Sequence, residues 1–321
     1  MSASEELSGT GRVPLPYDVQ GTGHPLVLIH THSVDRRLWD YQMEAFAECF
    51  RVIRYDLRNH GDAPRSSEPY DAGQDLLDLL DALEIGIAHL VGVGLGGSIA
   101  LEFALQHPQR VSALVLAGSG LSGSSLDIRE LSEGFAPMIE DFVRVLHGGD
   151  PAPLIDRIVA EPHTTPSRAD SRELLRRLLL DNAHVFTQFA PSGPKPTDPP
   201  AAGRLGEVRV PTLVMAGERD LEIVKRIADS LQQAIPGATK VIVPGGGNLP
   251  NLDDPDFFNN TVMQFLGAIR SLPLTAPEEV SQLASQRARS RLPPPNELPA
   301  FCAVICTGLP GRPRGQAGMW R

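Results

Sequence analysis

Short apolar runs alternate with stretches of helical period along much of the chain. Residues 26–29, 50–55, 89–93, 111–117, 212–216 and 240–243 are rich in Val, Ile and Leu and show little polar alternation. Such runs suit strands buried on both faces of a parallel sheet, where neither side-chain direction reaches water. Between them, residues 39–47, 71–83, 97–107, 224–234 and 256–269 read as helices. In 71–83, Leu76, Leu77, Leu79, Leu80 and Leu83 share one broad face and the acidic residues fall elsewhere. Trp39 is expected to pack the first helix on the core. Strand and helix in alternation imply right-handed crossovers and a doubly wound α/β sheet. Ligands of such sheets bind beyond the carboxyl ends of the strands.

The alternation stops between about residues 121 and 203, where helix-like stretches (128–147, 171–189) are broken by the proline-rich piece 191–200. This predicts a helical insertion over the carboxyl edge of the sheet. From residue 271 Pro and Arg become frequent, which predicts one short helix near 278–289 and then an irregular tail.

The chemistry concentrates at one corner. Residues 89–101 run strand, tight turn, helix, and Gly92, Val93, Gly94, Leu95 and Gly96 stand in the frame of a G-x-S-x-G nucleophile elbow. Four further landmarks follow a familiar order. Leu28 to His32 read as a strand entering a His-Gly loop, and Arg54 to Gly61 as a D-x-R-G-H-G loop. Residues 211–220 end on Asp220, where an acid is presented, and residues 244–255 form a loop carrying Asn248. On these motifs, residues 17–269 resemble the α/β-hydrolase superfamily. The resemblance implies an α/β-hydrolase fold: a mostly parallel doubly wound sheet with an inserted helical cap between the sixth and seventh strands of the family scheme. The core would be residues 13–121 and 204–270, the cap 122–203 and a Pro/Arg-rich C-terminal extension 271–321.

The resemblance also places Gly94 at the nucleophile position and Asn248 at the histidine position, leaving only Asp220 of the triad. Acyl transfer needs an oxygen nucleophile, a base and an acid to orient the base. Losing serine or histidine costs about 10⁶ in kcat in serine proteases, so ordinary serine esterase chemistry is not expected. Glycine adopts the strained elbow conformation without steric cost. The oxyanion hole implied by the family pattern is backbone: the amides of Leu95 and of Thr31 or His32, with Thr31 standing where glycine is usual.

Asp220 beside a neutral amide should have a raised pKa and serve as a general acid or base, or else be a structural carboxylate. His32 is the candidate replacement acid/base, whereas His30 and His60 read as loop histidines. His30, Ser33 and Ser119 are the possible pocket residues; the two serines lie beyond strand ends and either line the pocket or cap loops. Ser98, one turn into its helix, should face the packing side. His30 and His32, two apart, could ligate one metal, but Asp35 falls three residues after the second histidine where a metallo-β-lactamase-like pattern has two, and no metal or other cofactor is expected.

Charge narrows the partners. The 321 residues carry 29 Lys and Arg against 39 Asp and Glu, a net charge of −10. Nucleic acid and membrane surfaces are therefore not expected as partners, and no apolar run approaches the roughly 18 residues of a membrane span. Three cysteines (Cys49, Cys302, Cys306) make no disulfide framework, which points to a cytoplasmic location. Cys302 and Cys306 sit in an apolar stretch expected to pack on the core or on a second copy of the chain as a homodimer. The resulting expectation is an enzyme acting on a small apolar metabolite by non-covalent acid/base and oxyanion-hole catalysis, lyase- or cyclase-like. The alternatives are an inactive ligand-binding protein and a hydrolase with relocated catalytic residues.

Overall fold

The computed structural model describes residues 14–124, 138–186, 193–195 and 197–270. Seven strands form one sheet: β1 (Tyr17–Gln20), β2 (His24–Ile29), β3 (Phe50–Tyr55), β4 (Ala88–Val93), β5 (Val111–Ala117), β6 (Thr212–Gly217) and β7 (Thr239–Val243). Their spatial order is β1-β3-β2-β4-β5-β6-β7. Only the β1–β3 pair is antiparallel. The six apolar runs are β2 to β7. Every residue of β4 and β6 is buried, which is why those runs lack polar alternation. β1 was not expected from the pattern: it is a short edge strand, and Val19 and Gln20 face water.

In chain order the helices are α1 (Asp40–Ala47), α2 (Ala72–Ala82), α3 (Leu95–Gln106), α4 (Ile139–Leu146), α5 (Ala152–Ala160), α6 (Ala169–Asp181), α7 (Glu222–Ala234), α8 (Pro250–Asp253) and α9 (Pro255–Arg270). α2 starts where Asp71 accepts the Gln74 amide, an N-cap satisfying one of the free donors of the first turn. α1 is preceded by a 3₁₀ turn, Arg36–Trp39, capped by Asp35. α3 begins at Leu95, two residues before the expected start, because Gly94 alone turns the corner. α5 was not expected from the sequence pattern, and it carries two prolines, Pro151 and Pro153. They stand at its start, where proline costs no hydrogen bond. Of the expected helix 128–147 only Ile139–Leu146 is described. The expected tail, with its helix near 278–289 and Cys302 and Cys306, lies outside the described residues.

Two apolar layers cover the sheet. One face packs against α2, α3 and α7 through Leu76, Ile99 and Ile227. The other packs against α1 and α9, where Trp39 meets Phe258 at 6.3 Å between centroids. The same layer continues into the inserted helices through Leu154 and Leu178. Truncating any one such side chain to alanine would cost about 2–5 kcal/mol.

The inserted helices are tied to loops at the carboxyl ends of four strands. Asn182, fully buried just past α6, donates to Asp35 Oδ2 at 2.8 Å and accepts the Gly61 amide at 2.7 Å. His184 donates to Asn59 O at 2.8 Å. At the other end, the Arg219 guanidinium donates to Pro162 O at 2.7 Å and Thr165 O at 3.2 Å. The Asn248 amide donates to His163 O at 2.7 Å. Among the described residues no helix is long and apolar enough to cross a membrane.

Candidate functional site

The corner after β4 is built by glycines that no other residue could replace in place. A Cβ on Gly96 would stand 2.1 Å from Ile29 O, and one on Gly92 would stand 2.3 Å from Gly96 C. Their absence lets α3 lie against β2 and β4. Between them Gly94 adopts φ 56° and ψ −116°, a region that side-chain-bearing residues occupy only under strain. Its amide donates to Ala117 O at 2.9 Å and its carbonyl accepts the Gly97 amide at 3.1 Å. The turn is thus held from both sides.

The space in front of Gly94 is filled by Thr31. A Cβ on Gly94 would lie 2.2 Å from Thr31 Oγ1 and 2.9 Å from Thr31 Cβ. Thr31 Oγ1 also accepts the Leu95 amide at 3.3 Å. The Leu95 donor expected for a backbone oxyanion hole therefore meets a hydroxyl of its own chain.

Three imidazoles, from the loops after β2 and β3, pack together. His30 is fully buried; its Nδ1 donates to Thr31 O at 2.7 Å and its Nε2 accepts the Leu57 amide at 2.9 Å. Burial holds its pKa down to about 4, so it is neutral with both nitrogens in use, as a loop histidine should be. His60 packs edge-on against both His30 and His32, each at 5.3 Å between centroids. Burial, then the neighbouring His30 and His32, push its pKa down to about 3. Its Nδ1 donates to Arg58 O at 3.0 Å, which leaves Nε2 as an acceptor 3.4 Å from His32 Nδ1. That network assigns the His32 proton to Nδ1, which also lies 3.1 Å from Ser33 Oγ. His32 Nε2 then carries the free lone pair. The His32 ring is open to solvent, yet the surrounding protein lowers its pKa. Ser33 beside it holds a left-handed backbone (φ 65°).

Asp220 and Asn248 meet across the ends of β6 and β7. Asn248 Nδ2 donates to Asp220 Oδ1 at 3.4 Å, and the Leu221 amide donates to the same oxygen at 2.8 Å. Asp220 Oδ2 is buried without a hydrogen-bond partner. Burial raises the Asp220 pKa to about 6, only partly offset by those two donors. Ser119 is engaged within its own loop: its hydroxyl donates to Gly120 O at 2.8 Å, and it lies against Gly97 of α3. Ser98 faces Gly120 at the end of β5. The loop bearing Asn248 is clamped by Arg219, which donates to Gly245 O at 2.7 Å, and by Asp253, which accepts the Gly247 amide at 2.7 Å.

The sequence singled out Thr31 for its amide, not for its side chain. The available signal was the pairing of an unusual Thr at position 31 with an unusual Gly at 94, a volume gained at one position and lost at the other. Arg219 and His163 carried no signal, because their contacts join distant segments.

Comparison with known proteins agrees with this fold. A family model described as "Alpha/beta hydrolase family" matches residues 26–261. A putative carbamate hydrolase RutD of Agrobacterium fabrum is 28% identical over 71% of this chain and 87% of its own. A 2-hydroxy-6-oxononadienedioate/2-hydroxy-6-oxononatrienedioate hydrolase of Cupriavidus pinatubonensis is 33% identical over 61% of this chain and 67% of its own. The crystal structure of a hydrolase from Pseudomonas aeruginosa superposes with a TM-score of 0.61 at 29% identity, covering 82% of this chain and 97% of the other. With the sheet order, the glycine corner and a family match spanning most of the chain, the protein belongs to the α/β-hydrolase family.

Proposed function

We propose that this chain performs proton-transfer chemistry on a small, largely apolar carbonyl compound without forming an acyl-enzyme. The step is lyase- or cyclase-like rather than that of a serine hydrolase. One observation carries the reading: the space that a nucleophilic side chain at position 94 would need is occupied by Thr31. A serine lost by drift alone would leave a hole, whereas here a second residue fits the glycine. His32 is the proton carrier in this reading. It is neutral at pH 7, its Nε2 lone pair is free, and the chain through His60 to Arg58 O holds its tautomer. Asp220 is the weaker candidate, because its free oxygen is enclosed. The inserted helices act as a cap over the strand ends, and the reaction calls on no cofactor.

The relatives' names support a carbonyl substrate class. The Cupriavidus protein is named as a hydrolase of oxo-dienedioate and oxo-trienedioate compounds and the Agrobacterium protein as a putative carbamate hydrolase. The test combines covalent labelling with turnover. A fluorophosphonate probe should leave the wild type unlabelled; labelling overturns the proposal. Within a panel of carbonyl compounds that includes 2-hydroxy-6-oxononadienedioate, turnover should fall by about 10²–10⁴ in His32→Ala. Turnover indifferent to that change would remove His32 from its role.

A second reading, a ligand-binding protein without catalysis, is favoured by the Leu95 amide being engaged by Thr31. Tight binding of a panel member without any turnover would select it.

A further inference from the structure

We infer that the Thr31 hydroxyl, rather than a backbone amide, is the donor that meets the ligand's oxygen at this corner, and that it selects neutral carbonyl acceptors. This rests on the reading above that the site takes a carbonyl compound. Thr31 Oγ1 stands 2.2 Å from where a Cβ of residue 94 would be, the position from which a side chain at the corner would face a ligand. One of its lone pairs takes the Leu95 amide at 3.3 Å. Because that oxygen accepts from the amide, its own hydrogen is free to point elsewhere, and among the described residues no acceptor is paired with it. The hydroxyl therefore relays the donor of the α3 start outward by one bond. A hydroxyl that accepts a hydrogen bond also donates a stronger one, by about 10–30%.

The relay changes what the corner recognises. Two convergent amides suit the full negative charge of a tetrahedral oxyanion. A single hydroxyl offers one hydrogen bond, which matches a ketone or enol oxygen. The methyl of Thr31 also borders the space near Gly94 (its Cγ2 lies 3.9 Å from the Cβ position), which adds bulk where a tetrahedral centre would form.

The experiment uses the full chain and fluorine NMR, with para-fluoroacetophenone as probe and para-fluoroethylbenzene as its carbonyl-free analogue. Wild type and Thr31→Ser should bind the ketone about tenfold more tightly than the hydrocarbon, the worth of one hydrogen bond to a neutral group. Thr31→Val, nearly equal in shape, should bind both alike. Thr31→Ala serves the same purpose if the valine variant does not fold. A preference retained without the hydroxyl overturns the assignment, and so does a wild type that shows no preference or binds neither probe. Turnover insensitive to His32→Ala would sink the proton-transfer reading while leaving the ketone preference as it stands, so the two failures are distinguishable.

Discussion

If Thr31 fills the space in front of Gly94, adding one carbon at 94 must cost more when Thr31 is present than when it is absent. Gly94→Ala adds only a Cβ. The backbone there (φ 56°, ψ −116°) penalises any side chain by about 1–3 kcal/mol. The 2.2 Å approach to Thr31 Oγ1 forces that side chain to move, and overpacking of this kind costs a further ~1–3 kcal/mol. Together the change should destabilise the protein by roughly 2–6 kcal/mol. At about 2–4 °C per kcal/mol for a domain of this size, the unfolding midpoint should drop by several degrees or more. In a Thr31→Gly background only the backbone part remains. A double-mutant cycle by urea unfolding should therefore return a coupling of about 1–3 kcal/mol in favour of the double variant. Additive behaviour, within about 0.5 kcal/mol, would refute the packing argument. The same logic governs rebuilding a triad. Gly94→Ser with Asn248→His should stay unlabelled by fluorophosphonate, whereas adding Thr31→Gly should permit labelling. Equal labelling of both would mean that Thr31 blocks nothing.

Asp220 predicts a pH signature. Its carboxyl is raised from 3.8 to about 6 by burial, so the folded state holds the proton more tightly than the unfolded chain does. The stability this contributes is complete below about pH 4 and lost as pH rises through 6. Asp220→Asn should therefore gain on the wild type over that window, by on the order of 3 kcal/mol at pH 7.5. Parallel urea-stability profiles from pH 4 to 8 would contradict it. Arg219→Ala removes hydrogen bonds to Pro162 O, Thr165 O and Gly245 O at once. It should speed proteolysis within the inserted helices and raise hydrogen exchange at the Asn248 amide several-fold while leaving the sheet protected. Unchanged exchange there would mean that Arg219 does not hold the insertion. Asn182→Ala strands the Gly61 amide and removes one donor to Asp35 Oδ2, which keeps Arg37 Nη2, and should cost about 1–3 kcal/mol in the same urea assay.

The six parallel strands and the flanking helices were legible because each is encoded by its own neighbours. A run such as Val111 to Ala117 can be buried on both faces only in the middle of a parallel sheet. The edge strand β1 was not legible. Its four residues have no pattern of their own, and it is a strand because Tyr17 to Gln20 find Tyr55 to Val52 across the ladder. α5 was not expected from the pattern either, and its prolines, which would break a helix in its interior, stand at its start.

By itself the sequence determined the sheet, the glycine corner and the identity of the residues at positions 94, 220 and 248. These depend on spacing along the chain, and spacing survives without coordinates. Only the tertiary structure decided what stands in front of the corner. Thr31 and Leu95 are 64 positions apart, and the register of β2 against β4 alone sets them 3.3 Å from each other. The proton position on His32 is likewise set through His60, which arrives from a different strand end. Hydrogen bonds and steric contacts act over a few ångströms in space, so a site made from several loops takes its chemistry from packing that no single segment encodes.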